Sequence, residues 1–220
     1  TNNAINYSES HDENSLPYEV ATDGPALQTG PAKERKARLG LMATLAALGQ
    51  PMIYMGQEFN IDRPRNQVQF TWPEDLSRHQ YYQWAKGLVN LRRRYPGLRM
   101  TGAELSENGK FQFIIGPWLE QGKSRSVIGW RVNPKSGDPW EQMVVLFNFE
   151  PYDISLGIDF GSPGKWVKLA DIDQVNDIPP FGSNTVREPA TIETSGYFDN
   201  FTLPSSSGFI YKWERENSYQ

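Results

Sequence analysis

The sequence contains no cysteine and only two histidines, His11 and His79. The missing thiols exclude disulfides, thiolate catalysis and cysteine-ligated metals, so nothing in the fold calls for an oxidising compartment, and a cytoplasmic location is expected. Positive charge is not in excess. The 22 Lys and Arg residues face 26 Asp and Glu, a net charge of -4, which argues against a phosphate-backbone partner. No apolar run approaches the roughly 18 residues that a membrane span requires, and Thr1 to Ala4 has neither the basic nor the apolar region of a signal peptide. Neither nucleic acid nor a membrane is an expected partner, and no cofactor is expected.

Aromatic residues are plentiful, with 7 Trp, 10 Tyr and 11 Phe in 220 residues. Flat aromatic faces beside many carboxylates suit polyhydroxylated ligands such as sugars. The same residues would equally fill a β-rich core.

Along the chain, Ala4 to Tyr7 reads as a short strand running into the polar cluster Ser8 to Asn14. A loop carrying Pro17, Gly24, Gly30 and Pro31 follows. An amphipathic helix is then expected over 32–48, with Leu41, Leu45 and Leu48 at helical spacing, Pro31 at its first position and Gly49 and Pro51 as its stop. Met52 to Met55 is a short continuous apolar run, the pattern of a strand buried on both faces of a parallel sheet. A second helix is expected from a Ser77 cap to about Tyr95, with Trp84, Leu88 and Leu91 on one face and Pro96-Gly97 as its stop. Beyond Gly97 the pattern changes to short runs rich in aromatic and β-branched residues, over 111–115, 126–132, 143–149, 152–158, 166–169 and 208–213. An antiparallel sandwich is expected there, with a domain boundary near 96–102.

Two strand–helix units cannot make a parallel sheet of ordinary size, because each strand needs neighbours and both faces need helices. The remaining strands are expected from residues upstream of Thr1, from another chain, or from a self-associated dimer. In a (β/α)8 barrel, polar residues just after a strand lie on the catalytic face. Here those are His11 and Asp12 after the first strand and Glu58 after the second.

At these positions the sequence resembles the α-amylase superfamily of glycoside hydrolases. Ser10-His11-Asp12 is similar to the block at the end of the seventh barrel strand of that family, and Gly49-Gln50-Pro51-Met52-Ile53-Tyr54-Met55-Gly56-Gln57-Glu58 resembles the Gly-x-Pro-x-Ile-Tyr-x-Gly-x-Glu block spanning the eighth. Leu203-Pro204 with Ser205 to Phe209 is similar to the closing strand of the sandwich behind the barrel, and residues 171–182 loosely resemble a loop of that domain in branching enzymes. The resemblance implies an α/β plus all-β fold, with residues 1–97 as the last two units of the (β/α)8 barrel and 98–220 as an antiparallel β-sandwich. It implies a retaining mechanism on α-1,4-linked glucans such as starch, glycogen or maltooligosaccharides, by hydrolysis or transglycosylation. The Met55 to Phe59 segment leans towards branching enzymes and trehalose-releasing relatives.

In that mechanism Asp12 matches the carboxylate that stabilises the transition state, and His11 matches a histidine that hydrogen-bonds sugar hydroxyls. The family's nucleophile and general acid stand upstream of every residue present, so the chain alone is expected to be inactive. A non-catalytic carbohydrate-binding or scaffolding protein derived from the same fold is the alternative. Glu58 is expected to support neighbouring groups through charge-assisted hydrogen bonds rather than donate a proton. Arg63 and Arg65 are expected to line the substrate cleft, although surface arginines are ordinary. Trp72 either stacks on a sugar or plugs packing, Glu9 and Glu13 are expected to be solvated or supporting, and His79 exposed and inert. Arg92, Arg93 and Arg94 complement a helix macrodipole. Asp171, Asp173 and Asp177 lack the central Gly and terminal Glu of a calcium loop, and no metal is expected there.

Overall fold

The computed structural model of the chain describes residues 4–23, 28–67, 69–107, 109–115, 126–133, 142–175, 185 and 188–214. Strands β1 (Ile5–Asn6) and β2 (Gln50–Pro51) pair in parallel, Ile5 with Gln50 and Asn6 with Pro51. The crossover between them holds α1 (Leu16–Thr22) and α2 (Gly30–Ala46). Gly49 has φ +113°, and a Cβ there would lie 2.8 Å from the Ala4 carbonyl, so only glycine lets the chain enter β2 this close to β1. The expected second strand is displaced. Pairing falls on Gln50–Pro51, while Met52 to Tyr54 run on half-buried and Met55 is 49% exposed. A run apolar enough for burial on both faces has one strand beside it, because the parallel sheet is two strands wide among the described residues.

Helix α1 falls inside the expected loop. Ser15 is its N-cap residue and Pro17 lies in its opening turn, where proline's missing N–H costs nothing. Helix α2 carries Pro31 in its first turn as expected, but Ala37, Leu39, Leu41, Met42, Leu45 and Ala46 are all buried, so its second half is covered on several sides rather than amphipathic. Helix α3 (Gln80–Arg94) buries Trp84, Leu88 and Leu91. His79, not Ser77, is its N-cap, with Nδ1 accepting from the Tyr82 amide at 3.3 Å, whereas Ser77 turns back to Asp75. Arg92 is buried. Its guanidinium donates to the carbonyls of Leu45, Ala47 and Gly49 at 2.7, 2.8 and 2.6 Å, so it caps the C-terminus of α2 instead of serving its own helix; Arg93 and Arg94 stay exposed.

A short helix α4 (Gly102–Leu105), closed by a Thr101–Glu104 capping box, leads into the β-rich half. There β3 (Phe111–Ile115), β4 (Val127–Val132), β5 (Met143–Asn148), β7 (Gly164–Asp171), β8 (Thr191–Thr194) and β10 (Ser207–Trp213) form an antiparallel sheet ordered β3-β4-β5-β10-β7-β8. Strands β6 (Ile154–Asp159) and β9 (Phe198–Leu203) pair in a separate two-stranded antiparallel sheet.

The layers explain the sequence of β5, in which every residue is buried. Met143, Val145 and Phe147 join the core built with α2 and α3, while Val144 and Leu146 join the core under β6 and β9. A central antiparallel strand thus reads as a continuous apolar run because both faces are covered. The basic first half of α2 fastens the helices to the sheet: Arg35 donates to the Ser205 carbonyl at 3.3 Å, Lys36 to the Phe149 carbonyl, and Arg38 to Asp173 at 3.1 Å. Asp173 is therefore an ion-pair partner. Asp171 accepts from the Asp173 and Gln174 amides and from Lys168, and Asp177 lies outside the described residues. Among the described residues no group of three or more acidic or histidine side chains is arranged to hold a metal ion.

Candidate functional site

Because β1 and β2 run in parallel, their C-terminal ends open on the same edge, and the polar segments that follow them meet there. Ser8 is the first joint. Its hydroxyl accepts from Gln57 Nε2 at 2.7 Å and stands 3.3 Å from Thr44 of α2, fixing the first loop to the second and to the helix between. The second joint is reciprocal. The Ser15 amide donates to the Arg63 carbonyl at 3.0 Å, and the Arg63 amide donates to Ser15 Oγ at 2.8 Å.

Between these joints His11 and Asp12 form an exposed turn, both side chains 78% accessible, with His11 Nε2 3.4 Å from Asp12 Oδ2. The turn is held from within. Ser10 is buried, donates to Glu13 and accepts from the Asp12 amide at 3.2 Å, which leaves the Asp12 carboxylate turned to solvent. Arg65 is exposed on the opposing loop. Its amide donates to Asn14 at 3.0 Å, and its guanidinium reaches the Asp12 carbonyl at 3.5 Å.

Glu58 lies in a single 3₁₀ turn, Gln57–Phe59, and its carboxylate accepts from the Gly56 amide at 2.9 Å. Gly56 has φ +100°, and a Cβ there would press on Ile61 and Phe70 at 3.1 and 3.4 Å, so the turn after β2 requires glycine.

Arg63 differs from expectation: it is only 5% exposed. It donates to the carbonyls of Met55 at 2.8 Å and Gln67 at 3.4 Å, and its guanidinium stacks between Tyr54 and Phe70 at 5.1 and 4.9 Å. A fork of donors in an aromatic slot braces the loop from below rather than presenting charge to the cleft. Of the two roles expected of Glu9, solvated or supporting, its burial leaves the supporting one, and it accepts from the Leu16 amide at the start of α1 at 2.9 Å. Burial pushes its carboxyl up to about 7, against the Leu16 hydrogen bond and nearby Arg63, which favour the ionised form.

Beyond Arg63 the second loop borders an open cleft of about 650 Å³ whose lining includes Met55, Asp62, Phe70 and Trp72. His79 contacts its aromatic support, 5.5 Å edge-on from Phe59, and is half-buried, not exposed. The sequence pattern marked His11, Asp12 and Glu58. It missed the Ser8–Gln57 and Ser15–Arg63 joints, whose partners stand 49 and 48 positions apart.

No protein-family model matches the sequence. The fold does have counterparts. The chain is similar to a pullulanase from Bacillus acidopullulyticus, with a TM-score of 0.68 and 18% identity over 95% of this chain and 24% of that one. It is similar to the catalytic module of the glycogen-degrading pneumococcal virulence factor SpuA, with a TM-score of 0.69 and 17% identity over 100% of this chain and 37% of that one. A type I pullulanase from Bacillus subtilis strain 168, complexed with maltose, gives 0.66 and 18% over 94% and 27%. The chain therefore spans about a quarter to somewhat over a third of the length of these structures, and it shares the fold of that part of them.

Proposed function

We propose that this chain is part of an α-glucan-active enzyme of the α-amylase type, with β1, β2, α2 and α3 as the last two strand–helix units of a (β/α)8 barrel and the antiparallel sheets as the sandwich behind it. The observation that carries this reading is the parallel pairing of β1 with β2, which gathers the His-Asp turn and the Glu58 turn on one edge, where a barrel keeps its chemistry. The fold shared with pullulanases and a glycogen-degrading module supports it.

In this reading Asp12 faces the sugar as a carboxylate that accepts from its hydroxyls and offsets the positive charge developing at the anomeric carbon. His11, beside it, offers a donor and an acceptor to the same ring. Arg65 reaches across from the second loop. Arg63 and Glu58 are positioning residues: one braces the loop through the Met55 and Gln67 carbonyls, the other holds the turn through the Gly56 amide. The nucleophile and the general acid of a retaining mechanism come from outside these 220 residues, supplied by further barrel strands N-terminal to them or by an associated chain. By itself the chain releases no sugar from starch.

Titration calorimetry with maltohexaose checks the reading, with cellohexaose as the control. The chain binds the α-linked oligosaccharide, and Asp12→Asn and His11→Ala each abolish the heat while circular dichroism stays unchanged. Equal affinity for both oligosaccharides, or binding indifferent to both substitutions, would sink the reading and favour a scaffold that holds carbohydrate elsewhere. Starch hydrolysis by the chain alone that is lost in Asp12→Asn would overturn the division of catalytic labour.

A further inference from the structure

The cleft beside the Glu58 turn has the construction of a ligand platform. Trp72 is 50% exposed, yet it is not loose. Phe59 meets it edge-on at 5.3 Å and Phe70 leans on it at 4.9 Å. Phe59 is itself buried, stacked on Tyr82 of α3 at 5.3 Å and 15°. A chain of rings thus runs from the helix to the cleft wall and fixes the indole where half its surface meets water. Exposing a large apolar side chain is unfavourable, and holding it rigidly in that state is the arrangement of an aromatic surface that waits for a flat partner.

The rest of the lining narrows the partner. Gln67, Gln69 and Asp62, whose carboxylate also takes Lys33 at 2.5 Å, are exposed along the same wall, with Met55 and Phe70 beside them. Amide and carboxylate groups around one aromatic plane match a molecule with a weakly apolar face and a rim of hydroxyls, which is the chemistry of a pyranose ring. At about 650 Å³, the cleft falls within the range of small-molecule sites, about 300–1,000 Å³. Its position joins it to the Glu58 turn. Phe70 lies against Gly56, whose amide Glu58 holds, and Arg63 ties the Met55 carbonyl and the Gln67 carbonyl into one loop.

Resting on the α-glucan reading, we infer that this cleft is a glucan subsite in which the exposed face of Trp72 stacks on a glucose ring of a chain whose neighbouring units occupy the His11–Asp12 edge. Asp62, Gln67 and Gln69 take the hydroxyls of that ring. Short oligosaccharides fill the edge alone; longer ones reach both.

Maltose and maltoheptaose titrated against the chain separate the two sites. Trp72→Ala weakens maltoheptaose by about tenfold, the loss of one stacking contact, and leaves maltose unchanged. Trp72→Tyr keeps a ring on the Phe59 edge and retains most of the affinity, which controls for a packing defect in the alanine variant. Acrylamide quenching supplies a direct readout: maltoheptaose shields part of the tryptophan emission in the parent chain and none of that part in Trp72→Tyr. If Trp72→Ala leaves maltoheptaose affinity intact while Asp12→Asn abolishes it, the subsite is wrong and the α-glucan reading stands. If no maltooligosaccharide binds the parent chain, both fall together.

Discussion

The six-stranded sheet and the loop edge beyond β1 and β2 are held together by different physics. In β5 a hydrophobic layer covers each face, and position is fixed by area: a residue is placed by its alternation and size. The edge instead buries Glu9, Ser10, Ser15, Gln57 and Arg63, five of the twelve buried polar residues among those described, and each of these has a specific partner atom. Area is redundant, since several neighbours share the loss of one. A polar pair is not, because the atom left behind has been removed from water. The sheet should therefore govern stability, and the edge should govern geometry at smaller energetic cost.

Phe147→Ala is the strongest attempt to break the sheet. Phe147 is 1% exposed and contacts Trp130 and Phe149 between sheet and helices, and its truncation should cost about 3–5 kcal/mol, read as a lowered urea midpoint with unchanged slope. A loss below 1 kcal/mol would mean that the two layers are not one cooperative unit. Arg92→Met comes next. It leaves three carbonyls at the end of α2 without their donor, at about 2–3 kcal/mol. Being a polar device inside the helical core, it should show the one-to-one behaviour of the edge, with Arg92→Lys recovering only part of the loss because an ammonium does not reproduce the planar fork.

The contrast also sets what the sequence disclosed. Strands β3 to β7 and β10 were legible because apolar β-formers recur there, whereas β8 and β9 were not, since Asp199 and Asn200 within β9 are poor strand formers that tertiary pairing with β6 overrides. Helix α1 escaped notice because its seven residues carry a proline and no full apolar period. At the edge, His11, Asp12 and Glu58 could be found from their neighbours in the chain. The burial of Glu9 and Arg63 could not, because charged residues are ordinarily exposed and the atoms that hold these two, the Leu16 amide and the Met55 and Gln67 carbonyls, are backbone groups that no residue pattern marks. Patterns report area, and only the fold reports pairs.

Glu9 offers a quantitative test of the edge. An unfolded carboxyl releases its proton near 4.5 and the folded one near 7, so the folded state holds the extra proton in between. Stability should therefore fall as pH rises from about 4.5 to 7 and level off above. Glu9→Gln keeps an acceptor for the Leu16 amide and cannot ionise. It should remove this slope and raise stability at pH 8 by about 2–3 kcal/mol, with urea melts at pH 5 and pH 8 as the measurement. A parent chain that gains stability across the same window would show that Glu9 is ionised in the fold and that Arg63, not burial, sets its charge.

The smallest expected effect on stability is at the residues most exposed to the proposed chemistry. His11 and Asp12 have 78% of their side-chain surface in water and belong to neither hydrophobic core. Ser10, itself bonded to Glu13, and Arg65 hold the backbone of their turn at the Asp12 amide and carbonyl, and the two tips are left to each other and to water. His11→Ala should hence shift Tm by no more than about 2 °C, within scatter for a surface change, while Ser10→Ala, which releases the turn from inside, shifts it further. A large loss of stability in His11→Ala would place this turn with the structural half of the molecule. An unchanged Tm with lost maltohexaose binding would separate the two regions as the physics requires: area for standing, exposed polar tips for use.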